Sequence, residues 1–174
     1  MVEDIRERVQ AGQTGALENI LNAIPGYGGY RDKQLRRDAD RLLREHIARE
    51  LAQQGRKLPE LQRRLVDARQ LRLVDDLERV ARRLQTLGDQ VRTAAGGYAG
   101  FFDAVKVREA ELDGLYEFDQ ALLAEIPRLS EGITALETAI ASQAGIAEGI
   151  RDLGEAVDRL ADYWRGRREV VLQI

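Results

Sequence analysis

The segment Gly26-Tyr27-Gly28-Gly29-Tyr30-Arg31-Asp32 returns 71 residues later as Gly97-Tyr98-Ala99-Gly100-Phe101-Phe102-Asp103. At this offset, residues 4–40 align with residues 75–111 without a gap, and 11 of the 37 positions are identical. Self-similarity at a fixed offset is typical of an internal duplication. Glycine-rich stretches interrupt helices, and apolar residues at helical spacing flank both segments. The sequence therefore predicts two copies of one unit, each a helix, a loop and a helix, which together form two duplicated αα-hairpins.

The composition favours a single all-α domain over residues 1–174. Apolar residues make up 44% of the 174 positions and charged residues 33%, which is too apolar for a disordered chain. Only three prolines are present, and leucine, alanine, glutamate and arginine, all good helix formers, are abundant. The chain has no cysteine, so disulfides and thiolate metal sites are excluded.

Apolar periodicity predicts an antiparallel bundle whose first four helices cover about residues 2–24, 32–54, 59–94 and 103–126. Pro59 suits the first position of the third helix, because its missing N–H would be unpaired there in any case. That helix, about 50 Å long if continuous, would be the longest of the four.

A heptad pattern after Pro127 predicts a long C-terminal helix, coiled-coil-like, over about residues 128–165. The isoleucine row starts at Ile126 and the leucine row at Leu129, and a third row widens the apolar stripe at Ile146, Leu153 and Leu160. Gly145 and Gly149 have the spacing of a small-residue motif that indicates close approach of another helix. The apolar tail, residues 170–174, is interpreted as a docking segment or a short strand.

The duplication also predicts where a site would lie. Antiparallel helices joined by short loops alternate in direction, so the two Gly-Tyr-x-Gly loops should lie at the same end of the bundle. One interpretation is that their aromatic side chains close the core while each aspartate caps the following helix. The other is a pseudo-symmetric ligand or partner site, since helix N-termini suit anions. Its candidate residues are Tyr27, Tyr30, Asp32, Arg37, Tyr98, Phe101, Phe102, Asp103 and Arg108.

The sequence lacks the residues that common catalytic and metal sites need. His46 is the only histidine, and a di-iron bundle would require a glutamate three residues before it, where Leu43 stands. Ser130 and Ser142 lie far from His46 along the chain, in predicted helix. We therefore expect no enzymatic activity, no metal and no cofactor.

Charge is distributed unevenly between the two halves of the chain. Residues 31–93 contain 17 basic and 11 acidic groups, a net of +6, and residues 94–164 contain 5 basic and 14 acidic groups, a net of −9. Several acids stand four residues before an arginine, at a spacing that supports helices and absorbs basic charge locally. These are Asp32–Arg36, Asp40–Arg44, Glu45–Arg49, Glu60–Arg64, Asp75–Arg79 and Glu78–Arg82. Opposite net charges favour packing of the two halves on each other, within or between subunits. We therefore do not expect nucleic acid as a partner.

The function that these features favour is a non-enzymatic helical scaffold or protein–protein interaction protein. The third and last predicted helices are longer than the others, so parts of their apolar stripes would overhang a monomeric bundle and support self-association. The expected partner is a second copy of the chain or another helical protein. An alternative is a small-molecule or anion-binding module that uses the paired Gly-Tyr-x-Gly loops.

A weaker alternative is a peripheral membrane coiled coil that uses the apolar edge of the first helix, Ile5, Val9 and Leu17. Gly12, Gly15 and the nearby acidic residues count against it. No apolar signal segment begins the sequence, and its longest uncharged run has 12 residues, too few to span a bilayer. We therefore expect a cytoplasmic protein without a membrane partner.

Overall fold

The computed structural model describes residues 33–94 and 109–172, with side chains from residue 40 to 94 and, apart from residue 116, from 115 to 171. Nearly all described residues are helical and none is in a strand, which confirms the all-α prediction. The predicted helix over residues 2–24 and both predicted loops lie outside the described residues. The described helices are α1 (Lys33–Gly55), α2 (Leu58–Asp67), α3 (Leu71–Thr93), α4 (Glu109–Ser142) and α5 (Ile146–Leu172).

Four of these helices, α1, α3, α4 and α5, form a bundle in which α1 packs on α3, α3 on α5, α5 on α4 and α4 on α1. A Cβ atom at Gly88 would lie 3.9 Å from Leu51, and one at Gly55 would lie 3.8 Å from Leu84, so α1 and α3 run antiparallel. The short helix α2 connects them and packs on α3 and α4. The core is formed by leucine, isoleucine and valine side chains from all five helices.

The second hairpin that the duplication predicts is not formed among the described residues, and the first includes a helix that lies outside them. We expected α3 and α4 to form one hairpin, but the described residues pair α1 with α3 and α4 with α5, which leaves α3 and α4 on a diagonal of the bundle. Residues of α4 and α5 that contact each other lie almost the same number of residues before and after the turn between the two helices. This is the pattern of a simple antiparallel hairpin. The duplication itself stays a prediction, because most of its first copy lies outside the described residues.

The third predicted helix is wrong in its length, because the chain turns at residues 68–70 and forms α2 and α3 instead. Arg69 has φ 58°, in the left-handed region. The Gln70 N–H donates to the Leu65 carbonyl at 2.9 Å and the Arg69 N–H donates to the Val66 carbonyl at 2.9 Å. These two bonds form a Schellman motif, which normally has glycine where Arg69 stands. The missing glycine explains why the sequence pattern looked continuous.

The predicted helix boundary at Pro127 is also wrong. Pro127 lies inside α4 with its ring exposed, and the buried row of Leu122, Ile126 and Leu129 runs through it without a break. An internal proline costs about 3 kcal/mol in an isolated helix, and burial of several large side chains offsets that cost.

The C-terminal segment is two helices rather than one, since the chain reverses at residues 143–145. Gln143 has φ 54° and Gly145 has φ 70°. The Ala144 N–H donates to the Ala139 carbonyl at 3.1 Å and the Gln143 N–H donates to the Ile140 carbonyl at 3.3 Å. This is a second Schellman motif, again with a non-glycine residue in the left-handed position.

Two smaller predictions for α5 are settled by its packing. The tail is neither a strand nor a separate segment as far as residue 172, because α5 continues to Leu172 and Val171 is buried. In the small-residue motif only Gly149 marks a close approach between helices: a Cβ there would lie 3.3 Å from the Leu136 side chain. Gly145 serves the turn instead.

The helix α2 is tied to α4 by an ion pair on its surface. Arg64 donates to Glu137 of α4 at 2.9 Å and to Glu60 of its own helix at 3.2 Å, and Arg63 donates to Glu60 at 2.8 Å. Hydrogen bonds from Arg63 and Arg64 lower the pKa of the Glu60 carboxyl from its ordinary 4.5 to about 2. Glu60 therefore stays ionised over the whole range in which proteins are normally studied.

Three of the predicted acid–arginine pairs are formed, Asp40–Arg44, Glu60–Arg64 and Glu78–Arg82. Arg79 bonds Asp76 instead of Asp75, and Glu45 lies 3.8 Å from Arg41 instead of bonding Arg49. The pair Asp32–Arg36 falls outside the described side chains. Most of these pairs are exposed, where solvent screens the charges, so each contributes little to stability.

Two glycines of α5 should respond in opposite ways to alanine. A Cβ at Gly166 would lie 2.5 Å from Cζ of the Phe118 ring, so the ring would have to move. We expect Gly166→Ala to lower the free energy of unfolding by about 1–3 kcal/mol. At Gly154 the nearest atom, at 2.9 Å, is the end of the flexible, exposed Arg83 side chain. Gly154→Ala should therefore be neutral or stabilising by up to about 1 kcal/mol, from helix propensity alone. Urea denaturation measures both, and equal losses would contradict the packing at Gly166.

Candidate functional site

The residues that the sequence proposed for a site lie almost entirely outside the described part of the chain. This applies to Tyr27, Tyr30, Asp32, Tyr98, Phe101, Phe102, Asp103 and Arg108. Arg37 lies in the first turns of α1, and its side chain is not described. Whether these residues meet therefore stays a prediction.

The helices that flank the two predicted loops have directions that agree with the predicted arrangement. Asp40 near the start of α1 and Asp119 near the start of α4 both bond Arg167 of α5, so α1 and α4 begin at the same end of the bundle. At the other end, Arg64 of α2 reaches Glu137 far along α4. Because α3 runs antiparallel to α1, the C-terminus of α3 lies at the end of the bundle where α1 and α4 begin.

Near this end the bundle interior contains a buried ionic layer, formed by Asp40, Arg44, Asp119 and Arg167. Arg167 donates through Nε and Nη2 to the Asp119 carboxylate and through Nη2 to Asp40 Oδ1. Arg44 Nε donates to the other oxygen of Asp40 at 2.9 Å. The four described side chains of the ionic layer carry two positive and two negative formal charges.

The ionic layer is shielded from solvent. Arg167 is 0% exposed and Asp119 is 1% exposed, and the two members on α1 are also buried. The Arg167 guanidinium carbon lies 5.5 Å from the centroid of the Trp164 ring, one turn earlier on α5, which is within range of a cation–π contact. Trp164 is the only tryptophan of the chain, and its buried Nε1 has no hydrogen-bond acceptor among the described residues.

Burial affects the ionisation of the ionic layer most strongly at Asp119. Desolvation raises the pKa of the Asp119 carboxyl above its ordinary 3.8, while the charge and hydrogen bonds of Arg167 act in the opposite direction. The folded protein therefore binds a proton at Asp119 more readily than the unfolded chain does. A group with a raised pKa contributes stability below its unfolded pKa and loses that contribution as the pH rises through its folded pKa.

Asp119→Asn should remove this dependence. As the pH is raised from about 3.8, the native protein should lose stability relative to the variant. The reason is that Asp119 releases its proton at a higher pH in the folded protein than in the unfolded chain. Denaturation in urea at a series of pH values measures the difference. A difference that instead grows over the same range would mean that the pairing with Arg167 outweighs the burial of Asp119.

A second buried acid follows along the same two helices. Glu125 of α4 is 1% exposed, and it accepts hydrogen bonds from Arg159 of α5 at 2.8 Å and from Arg128 of its own helix at 3.1 Å. Both arginines are largely exposed. Glu125 therefore forms an ion pair at the border of the core rather than inside it.

The ionic layer was not predicted, although the sequence carries a signal for it. Asp119 precedes Ile126 by one heptad, and Arg167 follows Leu160 by one heptad, so each occupies the next place in an apolar row. Asp40 likewise stands seven residues before the buried Ile47. Charged residues of opposite sign that interrupt the apolar rows of two facing helices predict a buried ion pair. The spacing of Asp40 and Arg44 predicts their pairing, which is confirmed, but not its burial.

The outer side of α1, α2 and α3 forms a groove of about 890 Å³. Small residues from α1 and α3 line it together with parts of the underlying leucines, and charged side chains stand along its edges. We call it the α1–α3 groove. Its small residues are Ala48, Ala52, Gly55, Ala81 and Gly88, and its charged residues are Glu45, Arg49, Arg56, Glu78, Arg82, Asp89 and Arg92.

Neither a metal-type cluster nor a bilayer-spanning helix is found within residues 33–94 and 109–172. In that part of the chain no three histidine, aspartate or glutamate side chains are grouped as a metal site would require. None of the described helices combines the length and apolar character that crossing a bilayer demands. A comparison of the chain with protein families, with curated proteins and with solved structures finds no match.

Proposed function

We propose that the protein is a non-enzymatic scaffold or interaction protein that associates with itself. The observation that carries this proposal is the α1–α3 groove, because an exposed concave surface lined by alanine and glycine lets another helix approach closely.

The physical basis differs from the one expected from the sequence. The sequence predicts an interface formed by apolar stripes that overhang the bundle. In the described residues, however, the apolar stripes of α3 and α5 are buried in the core. Val66 and Leu71 are the large apolar side chains that stand exposed there, at 49% and 65%. Self-association is therefore proposed through the groove and not through overhanging leucines.

The molar mass in solution tests the proposal. Sedimentation or light scattering should give a mass above the 19.6 kDa of one chain, and this mass should rise with protein concentration. Ala52→Trp should reduce it, since Ala52 is an exposed residue of the groove and the larger ring would fill the space. A native protein that stays monomeric at tens of micromolar would refute the proposal.

A ligand-binding module remains a second candidate, favoured by the common end at which α1 and α4 begin. We propose that the Gly-Tyr-x-Gly loops would provide its site. Tyr27→Ala combined with Tyr98→Ala should then leave the helical circular dichroism unchanged and abolish stabilisation by any small molecule that stabilises the native protein. Loss of the fold in this double variant would assign the tyrosines to the core.

A further inference from the structure

Two arginines on the edge of the α1–α3 groove have no partner among the described residues. Arg82 bonds Glu78 at 2.5 Å and Arg92 bonds Asp89 at 2.7 Å, so these groove charges neutralise each other. Arg49 on α1 and Arg56 in the turn directly after α1 make no ion pair or side-chain hydrogen bond with any described residue. The unpaired charge of the groove is therefore positive.

A second surface lies on the outer side of α4, where Pro127, Ser130, Glu131, Thr134, Ala135 and Thr138 line a shallow hollow of about 590 Å³. We call it the α4 patch. The Thr134 and Thr138 hydroxyls donate to carbonyls of their own helix, each at 3.1 Å. Their O–H donors are thus already used, so covering them with another protein would leave no hydroxyl donor unpaired.

The one charged side chain of the α4 patch is Glu131, which is exposed and forms no ion pair within the described part of the chain. The charge of the patch is therefore opposite to that of the groove. The residues around each surface carry a net charge of the same sign as that surface: positive around the groove and negative around the patch. Leaving out the ionic layer and Glu125, the side chains of residues 40–94, which include the turns between α1, α2 and α3, comprise 12 basic and 8 acidic residues, and the described side chains of residues 115–171 comprise 5 basic and 9 acidic residues.

We infer that the α1–α3 groove of one copy binds the α4 patch of a second copy, with Arg49 and Arg56 facing Glu131. The inference rests on the proposed self-association and adds its geometry. The two surfaces share no residue, so the contact is heterologous, and each copy keeps one groove and one patch available for further copies. Such an interface generates a ring if its rotation closes and an open chain if it does not.

Two steric variants test this geometry. Ala52→Trp blocks the groove and Ala135→Trp blocks the patch, and both alanines are exposed, so neither ring enters the core. Each variant alone should have the mass of one chain at concentrations where the native protein associates. An equimolar mixture should form a complex of two chains and no larger one, because one intact groove meets one intact patch. Thr86→Trp, an exposed residue of α3 outside the groove, is the matched control and should associate like the native protein.

Charge variants test the pairing of the two surfaces. Arg49→Glu with Arg56→Glu should weaken association, as should Glu131→Lys, and the triple variant should regain it because both signs are then exchanged. Native association should also weaken with added salt, since exposed charges are screened over about 10 Å at 0.1 M.

The outcomes separate the geometry from the function. A monomeric native protein refutes both. Association that persists in Ala135→Trp, or a mixture of the two steric variants that stays monomeric, refutes the groove-to-patch contact and leaves self-association standing.

Discussion

Replacing Arg167 with methionine should lower the free energy of unfolding by about 3–5 kcal/mol, because it leaves the buried Asp119 without its cation. Asp40 would keep Arg44 as a partner. Methionine retains much of the length of the arginine chain, so the loss reports charge more than volume. Urea denaturation followed by helical circular dichroism measures it. Fluorescence is less suited, since Trp164 itself contacts Arg167.

A second substitution should reverse this loss. Arg167→Met combined with Asp119→Leu removes one charge of each sign and leaves Asp40 and Arg44 as a balanced pair, so most of the stability should return. Arg168→Met, the exposed neighbour on α5, is the matched control and should change stability by less than about 0.5 kcal/mol. If the double variant were no more stable than Arg167→Met alone, the loss would come from packing and not from an unpaired carboxylate.

Leu65→Ala should destabilise the protein by about 2–5 kcal/mol, and Val66→Ala by less than about 0.5 kcal/mol. Leu65 is 0% exposed and belongs to the core, whereas Val66 is 49% exposed at the end of α2. Both side chains would belong to the apolar stripe of one long helix, which was the expectation from the sequence. The pair therefore tests the turn at Arg69 as well as the core.

The two variants are matched in place, since they are adjacent and lie in the same turn of α2. Their midpoints of urea denaturation provide the comparison, with the slope of each transition as a check that unfolding exposes the same surface. A loss for Val66→Ala equal to that for Leu65→Ala would show that α2 and α3 pack as one continuous helix.

The helical class and the core positions were predictable because they depend on periodicity. The apolar stripe of α1, the position of Pro59 at the start of α2, and the leucine and isoleucine rows of α4 are all confirmed. Burial of one face is the largest favourable term in folding, so its pattern in the sequence is the most reliable one.

The helix ends were less predictable because they depend on single backbone conformations. Arg69 and Gln143 adopt the left-handed conformation at the ends of α2 and α4, where glycine would have indicated the turn. Pro127 indicated an end that does not exist, since packing on both sides of it outweighs its local cost. The expected overhang of apolar residues rested on these boundaries.

The candidate surfaces lay beyond sequence reasoning for a different reason. The α1–α3 groove brings together Ala52 and Gly88 from helices whose pairing the duplication did not predict. Its unpaired arginines become evident only once the partners of the other charges are known. The ionic layer, by contrast, could have been found from Asp119 and Arg167, which interrupt two apolar rows.

The ionic layer also fixes the alignment of the hairpin that α4 and α5 form. Leucine and isoleucine rows repeat every seven residues, so either helix could slide by one heptad and still bury apolar side chains. A slide in one direction would place Asp119 opposite Leu160, and a slide in the other direction would place Arg167 opposite Ile126. Either slide leaves the buried carboxylate and the buried guanidinium unmatched. Among the alignments that differ by one heptad, only the observed one therefore avoids the cost of burying unpaired charges.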